Sequence, residues 1–384
     1  MTYQIKLPSC AYGGEGSIEK IKEIVAKEHA GRIVVFSDKG IEGTGLLTLL
    51  TKELDQTDAR YSVFTDCKPE PSYKQVEEVV DMVQGCECDL IIGIGGGSVM
   101  DAAKLASVLK GASYTILDLL ADPALAQKKV KTVMIPSTCG TGSEATCNAI
   151  VAVPEENSKK GIVNDSMIPD YVILDPRMIA RLPKPIVAAT GVDALAHVVE
   201  CYTSRKATPF SDPYALEGAR LIFANIREAY SNPDNMEAKS SMMLGAYYGG
   251  IAITGSGTTA VHALSYPLGG KFHIAHGVSN AILFAHVMEF NRDACEDRLA
   301  ELCDVINPSM SGSPVSGKAQ YVIDQIADIV KVTNIPTDLS QYGVTMDDLD
   351  FLVTAGSRQQ RLLVNNRKEL SLDDIRSIYL KVVK

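Results

Sequence analysis

The stretch DLIIGIGGG (89–97), running directly into SVMDAAKLASVLKG (98–111), decides the fold of this chain. The first part is a short Ile-rich apolar run bounded by glycines, which predicts a buried strand. The second part has helical spacing. A strand that passes through three glycines into a helix opens a βαβ unit. The glycines let the backbone approach a phosphate, and the free N–H groups of the helix start favour an anion. Ser98 adds a hydroxyl donor. The spacing is not G-x-G-x-x-G, so the segment also reads as a plain strand–helix turn.

The same alternation surrounds it. RIVVFSD (32–38), YSVFTD (61–66) and TVMIPST (132–138) predict strands, and GLLTLLTKEL (45–54) and SYKQVEEVVDMVQG (72–85) predict helices. This order predicts a parallel sheet with helices on both faces. After YVILDP (171–176) the segments turn helical, as in SDPYALEGARLIFANIREAYS (211–231) and EAKSSMMLGAYYGGIAI (237–253). We therefore expect an α/β, Rossmann-like dinucleotide-binding domain over 1–178 and an all-α domain over 179–384.

Two further features belong to a nucleotide site. PSTCGTGSEAT (136–146) clusters Thr138, Thr141, Ser143 and Thr146 after a strand, a hydroxyl surface suited to pyrophosphate, ribose or carboxamide. Asp38 ends the first strong strand, where a carboxylate accepts from ribose hydroxyls and repels a 2′-phosphate, favouring NAD. Asp38 reads equally as a turn or helix cap, and Lys39 beside it offsets its charge.

The second half carries TGVDALAHVVECYTS (190–204) and VHALSYPLGGKFHIAHGVSNA (261–281). Asp193 and His197 are four residues apart in a helical pattern, so they share one face. His262 and His276 flank an expected Pro-Gly-Gly turn. A lone apolar His is usually a satisfied core residue, yet four of the six His of the chain fall in these segments. Together these residues can hold a divalent metal with one coordination position open.

Composition narrows the classes. The 384 residues suffice for two cored domains, and a net charge of −10 with no basic stretch argues against nucleic acid. No apolar run spans a bilayer. MTYQIKLPSC lacks a signal-peptide pattern. The nine scattered cysteines fit free thiols in a reducing cytoplasm.

GGGSVMDAAK, PSTCGTGSEAT, GVDALAHVVECYTS, HALSYPLGG and HIAHGVSNA, in this order and spacing, resemble the signatures of iron-containing (group III) alcohol dehydrogenases over essentially the whole chain. The resemblance implies the architecture shared with dehydroquinate synthases, an NAD(H) cofactor, and a divalent metal, Fe²⁺ or Zn²⁺, in a cleft between the domains. It places the metal ligands on Asp193, His197, His262 and His276. The pyrophosphate loop falls on Gly95, Gly96, Gly97 and Ser98, and further cofactor contacts on Thr138, Thr141 and Lys160. Many members carry a His at the position of Tyr266, so a proton relay there is replaced, and His273 becomes the catalytic candidate. The implied chemistry is metal-assisted hydride transfer between an alcohol and its aldehyde. The implied state is a cytoplasmic homodimer or higher homo-oligomer acting on small molecules.

RQQRLLVNNRKELSLDDIRSIY (358–379) and HALSYPLGG are similar to the 4-hydroxybutyrate dehydrogenase branch. Arg361, Arg367 and Lys271 could pair with a distal carboxylate or sulfonate, as in succinic semialdehyde or sulfoacetaldehyde. An unsubstituted short alcohol is the alternative substrate. A dehydroquinate synthase-like lyase is the alternative class, disfavoured because the metal segments are apolar and carry only Lys271. A cofactor-free metal hydrolase would leave both glycine- and threonine-rich loops without a purpose.

Overall fold

In the computed structural model, which describes residues 2–384, the chain divides into two compact units. One holds Lys6–Pro154 and Lys159–Arg181. The other holds residues 2–5, Glu155–Ser158 and Leu182–Lys384. No helix among the described residues is long and apolar enough to cross a membrane.

The first unit begins with β1 (Cys10–Gly13), α1 (Ile21–Lys27), β2 (Arg32–Phe36), α2 (Lys39–Thr44), α3 (Leu47–Leu54) and β3 (Arg60–Phe64). It continues with α4 (Tyr73–Gln84), β4 (Leu90–Gly95), α5 (Gly97–Leu109), α6 (Ile116–Ala121) and β5 (Lys131–Pro136). A hairpin, β6 (Asn148–Val153) and β7 (Ser158–Val163), precedes β8 (Tyr171–Leu174). Nothing in the sequence reading had marked that hairpin.

Six strands form one sheet in the order β1-β8-β5-β4-β2-β3, and every neighbouring pair is parallel. β4 is buried at every position, which a parallel strand requires when both its faces are covered. The chain lays β3 outside β2 and then returns to place β4 on β2's other side. The C-terminal ends of β2 and β4 therefore meet at the point where strand order reverses. Open α/β sheets bind ligands there, and Asp38 and the glycine run occupy those two strand ends.

The second unit is built from α7 (Lys184–Thr203), α8 (Asp212–Ser231), α9 (Met236–Ser256), α10 (Ala260–Phe272) and α11 (His276–Ile306). α12 (Val315–Val332), α13 (Leu349–Ser357), α14 (Gln360–Leu363) and α15 (Leu372–Tyr379) complete it. α7 is its axis, with every residue from Gly191 to Thr203 buried. A helix apolar all round is a core helix, and α8, α9 and α11 pack on it. Small residues allow the approach. A Cβ on Gly249 of α9 would lie 3.4 Å from the His197 Cβ, and one on Gly277 of α11 would lie 2.1 Å from the Ala189 carbonyl oxygen. The second contact is backbone against backbone, and it seats the start of α11 on α7.

One expectation fails. No turn forms at Pro267-Leu268-Gly269-Gly270, because α10 runs through all four residues. Pro267 lacks only the N–H that would reach the Ala263 carbonyl, and every residue from Ala260 to Gly269 is buried, so packing outweighs propensity. Gly270 admits Asn157, whose carbonyl oxygen would stand 2.3 Å from a Cβ there. The chain reverses later, at His273, whose left-handed φ of 54° ends α10.

Gly277→Ala is expected to force α11 away from α7. The cost should be about 1–3 kcal/mol or more, as for other overpacked interiors. Equilibrium denaturation would read it, and a midpoint equal to wild type would contradict the close helix approach.

Candidate metal and cofactor sites

Asp193, His197 and Glu200 leave α7 at i, i+4 and i+7, along one stripe. α10 brings His262 and α11 brings His276. The Asp193 Oδ1 lies 3.6 Å from the Nε2 atoms of His262 and His276 and 3.9 Å from that of His197. Ligand atoms of Asp193, His262 and His276 all fall within 4.8 Å of one another, a spread that could hold a metal ion. The His197 ring stacks on His262 at 4.6 Å.

The electrostatics suit a cation. Burial opposes ionisation of Asp193, yet the imidazoles of His197, His276 and His262 outweigh it and hold the carboxyl well below its usual range. Burial likewise opposes the charged form of His262. The Glu200 and Asp193 carboxylates overcome that and raise its pKa to about 9. The donor set of Asp193, His262 and His276 fits a divalent metal, one buried carboxylate and two imidazole nitrogens with no Lys or Arg paired to it among the described residues, while the His197 Nε2, 3.9 Å from the carboxylate, lies outside that tight group.

Glu200 is the residue that sequence reading missed. It is fully buried. Its Oε1 accepts from the Thr259 N–H (3.1 Å), the Thr259 hydroxyl (2.6 Å) and the Val261 N–H (2.7 Å). Its Oε2 meets the His262 Nδ1. A carboxylate on the far nitrogen fixes the tautomer and directs Nε2 to the cluster. The available signal was Glu three residues after His197 on an otherwise apolar helix.

The remaining predicted residues of this unit are dispersed. Tyr266 is buried with its ring 5.9 Å from that of His276. Arg361 is exposed and reaches the Tyr266 hydroxyl at 3.5 Å. Lys271 pairs instead with Asp348 at 2.6 Å and lies over the Phe351 and Phe272 rings. Arg367 pairs with Asp297 at 3.5 Å. His273 is exposed at the end of α10.

In the first unit the glycine run caps α5. Gly96 is its N-cap and no side chain caps the helix, which leaves first-turn N–H groups available to an anion. A Cβ on Gly97 would meet the Thr141 hydroxyl at 2.7 Å, and one on Gly96 the Thr138 methyl at 3.5 Å. The two loops are thus in contact, with Gly96, Gly97, Ser98, Thr138 and Thr141 all half-buried and Gly95 buried beneath them. A side chain would fill this cradle, so it fits a pyrophosphate. The Ser98 hydroxyl accepts from the Glu70 N–H at 3.0 Å, and Lys160 is exposed on β7.

Two hydroxyls expected on the ligand surface serve the interior. Ser143 donates to Asp101 at 2.5 Å, and Thr146 accepts from the buried Lys104 ammonium at 3.2 Å. Lys104 also donates to the Ser143 carbonyl at 3.0 Å, and Asp101 accepts from the Ile150 N–H at 2.9 Å. This network locks the threonine loop onto α5. Glu144 sits in the same loop, and burial pushes its carboxyl up to about 7. Asp38 caps a helix, one of the two roles considered for it, and its position leaves the other open. One oxygen caps α2 by accepting from the Ile41 N–H at 3.0 Å, and the residue stays half-buried beside the strand-order reversal.

Comparison with known proteins agrees with this geometry. Residues 8–176 match the family model "Iron-containing alcohol dehydrogenase", and residues 187–383 match "Fe-containing alcohol dehydrogenase family, C-terminal". The chain is 35% identical to long-chain-alcohol dehydrogenase 1 of Geobacillus thermodenitrificans, over 98% of this chain and 95% of that protein. It is 31% identical to sulfoacetaldehyde reductase of Bilophila wadsworthia, over 94% of each. The crystal structure of sulfoacetaldehyde reductase from Bifidobacterium kashiwanohense in complex with NAD⁺ superposes with a TM-score of 0.87 at 27% identity, covering 100% of this chain and 99% of that one.

One outcome is expected. Asp38→Asn should keep the cap on α2 while removing the charge. The NADPH to NADH ratio of kcat/KM should then rise, and an unchanged ratio would place Asp38 away from the ribose.

Proposed function

We propose a substrate class for this chain from the premise that it belongs to the iron-containing alcohol dehydrogenase family and is an NAD-dependent oxidoreductase of alcohols and aldehydes. The class is small aldehydes with a distal anion, of the succinic semialdehyde or sulfoacetaldehyde type, and the matching ω-hydroxy acids. One observation carries the reading. Arg361 stands against the Tyr266 hydroxyl, with the Tyr266 ring beside His276, and among the described residues it forms no ion pair. Its guanidinium is the cation left available after Lys271 and Arg367 are paired. The 31% identity to a sulfoacetaldehyde reductase supports the same class.

Asp193, His197, His262 and His276 would hold the metal, which supplies Lewis acidity, while NAD(H) supplies the hydride. Glu200 keeps the His262 ring in the tautomer that presents Nε2. The α5 N-terminus with Gly95, Gly96, Gly97 and Ser98 would bind the pyrophosphate, and Asp38 the ribose hydroxyls. Thr138, Thr141 and Lys160 would complete the nicotinamide end. Tyr266 closes one side of the reacting carbon with an apolar ring and excludes water. Arg361 would orient the substrate by its far end, so binding energy is spent on alignment. His273, exposed and carrying two ring nitrogens, is the proposed proton carrier to solvent.

Unsubstituted alcohols are the second reading, favoured by the 35% identity to a long-chain-alcohol dehydrogenase. Succinic semialdehyde and butanal, equal in chain length, separate the two. Wild type should reduce the anionic aldehyde with the higher kcat/KM. Arg361→Ala should lose about 10- to 100-fold on it and little on butanal, the range for one hydrogen bond to a charged group. Lys271→Ala should change neither. A wild-type preference for butanal would establish the second reading.

A further inference from the structure

Asn280 lies one turn beyond His276 on the same face of α11 and is fully buried. Its amide nitrogen donates to the Asp193 Oδ1 at 2.7 Å. The same nitrogen stands 3.2 Å from the His262 Nε2 and 3.3 Å from the His276 Nε2. With both imidazoles in the neutral tautomer that leaves Nε2 bare, as the Glu200 contact favours for His262, two amide hydrogens face three acceptors. The other end of the amide is left over, since the buried Oδ1 has no hydrogen-bond partner among the described residues. Turning the amide over would set its oxygen against the Asp193 carboxylate. The observed orientation leaves one buried acceptor orphaned in order to keep a donor among the would-be ligand atoms.

We propose that Asn280 is a placeholder for the metal: its amide holds the ligand atoms together in metal-free protein and is the group a cation displaces from the two imidazole nitrogens. This rests on the metal-site reading given above. An amide N–H is the weakest substitute for a cation that still satisfies a carboxylate and two imidazole lone pairs. It is also neutral, so it keeps the cluster assembled without competing as a charge. Once the nitrogens bind a cation, their lone pairs no longer accept from the amide, which retains only its bond to Asp193. Asn280 therefore matters more to the metal-free protein than to the loaded one. A ligand-shell residue of ordinary structural importance would matter equally to both.

The test compares thermal melts of metal-stripped and Zn²⁺-loaded protein for wild type, Asn280→Ala and Asn280→Asp, with chelator competition for Zn²⁺ affinity. In Asn280→Ala the stripped protein should melt about 2–6 °C lower than wild type, from the loss of one buried donor. The loaded protein should fall by less than half as much. In Asn280→Asp two carboxylates face each other in the stripped protein, so its melting point should fall further and its Zn²⁺ affinity rise at least tenfold. If stripped Asn280→Asp does not fold, restoration of folding by Zn²⁺ is the same result in a stronger form. Equal shifts in stripped and loaded protein, or no shift in either variant, would overturn the proposal. His276→Ala is the control. If it binds Zn²⁺ like wild type, the metal-site reading itself fails. If it loses Zn²⁺ while both Asn280 variants match wild type, only the placeholder role fails.

Discussion

A helix buried on every side has no solvent in which to leave a charge, yet α7 carries Asp193, His197 and Glu200 on one stripe. Burying such groups is costly unless each finds a partner. Much of the second unit is arranged to provide those partners. Glu200 takes the Thr259 and Val261 N–H groups, so it serves as the cap that α10 otherwise lacks and gains from the positive end of that helix. The same carboxylate turns His262, two residues into α10, toward Asp193. Gly277 lets α11 rest directly on α7, which delivers His276 and Asn280 to the same spot. Three helices are thus held in register by one buried polar stripe.

The readable parts of the sequence were those where one local pattern decides one local outcome. The Ile-rich run before the glycines became β4, and the periodic segment after them became α5. Asp193 and His197 were legible because both lie on one helix, and His262 and His276 because histidine is scarce here. Glu200 was obscured because its partners lie about 60 residues further along the chain, and because a lone Glu on a helix usually faces solvent. The turn expected at Pro267 failed for the complementary reason. Pro and Gly state a local preference, and α10 is surrounded by packing that overrides it. The β6–β7 hairpin gave no strong turn signal, as its connection PEEN contains no Asn-Gly or Asp-Gly pair.

The threonine loop shows how composition misleads at short range. Four hydroxyls in PSTCGTGSEAT suggest one polar surface, but they divide by burial. Thr138 and Thr141 remain half-buried beside the glycines, while Ser143 and Thr146 turn inward to Asp101 and Lys104. The inward pair explains why a helix that starts at a phosphate-type turn also carries a buried Asp and Lys one turn later. A loop meant to contact a cofactor must hold its shape without that cofactor, and the Asp101–Lys104 network gives it a rigid base.

Glu200 also changes the charge balance of the candidate metal site. Three imidazoles and Asp193 alone would leave a divalent cation with surplus positive charge, which would draw an anionic substrate toward the reacting centre. Glu200 adds a second buried carboxylate, and the two together match the charge of a divalent ion. With a divalent ion held by these residues, the centre would still polarise an oxygen at contact distance, where field strength depends on the nearest charge, but it would exert little net pull from further away. If the substrate carries a distal anion, as proposed, its attraction would then come from a separate cation. Lys271 is neutralised by Asp348 and Arg367 by Asp297, whereas Arg361 retains its charge next to Tyr266. A cation kept apart from the metal by an aromatic ring would favour substrates whose two polar ends are equally far apart, so chain length as well as charge should enter the specificity of this site.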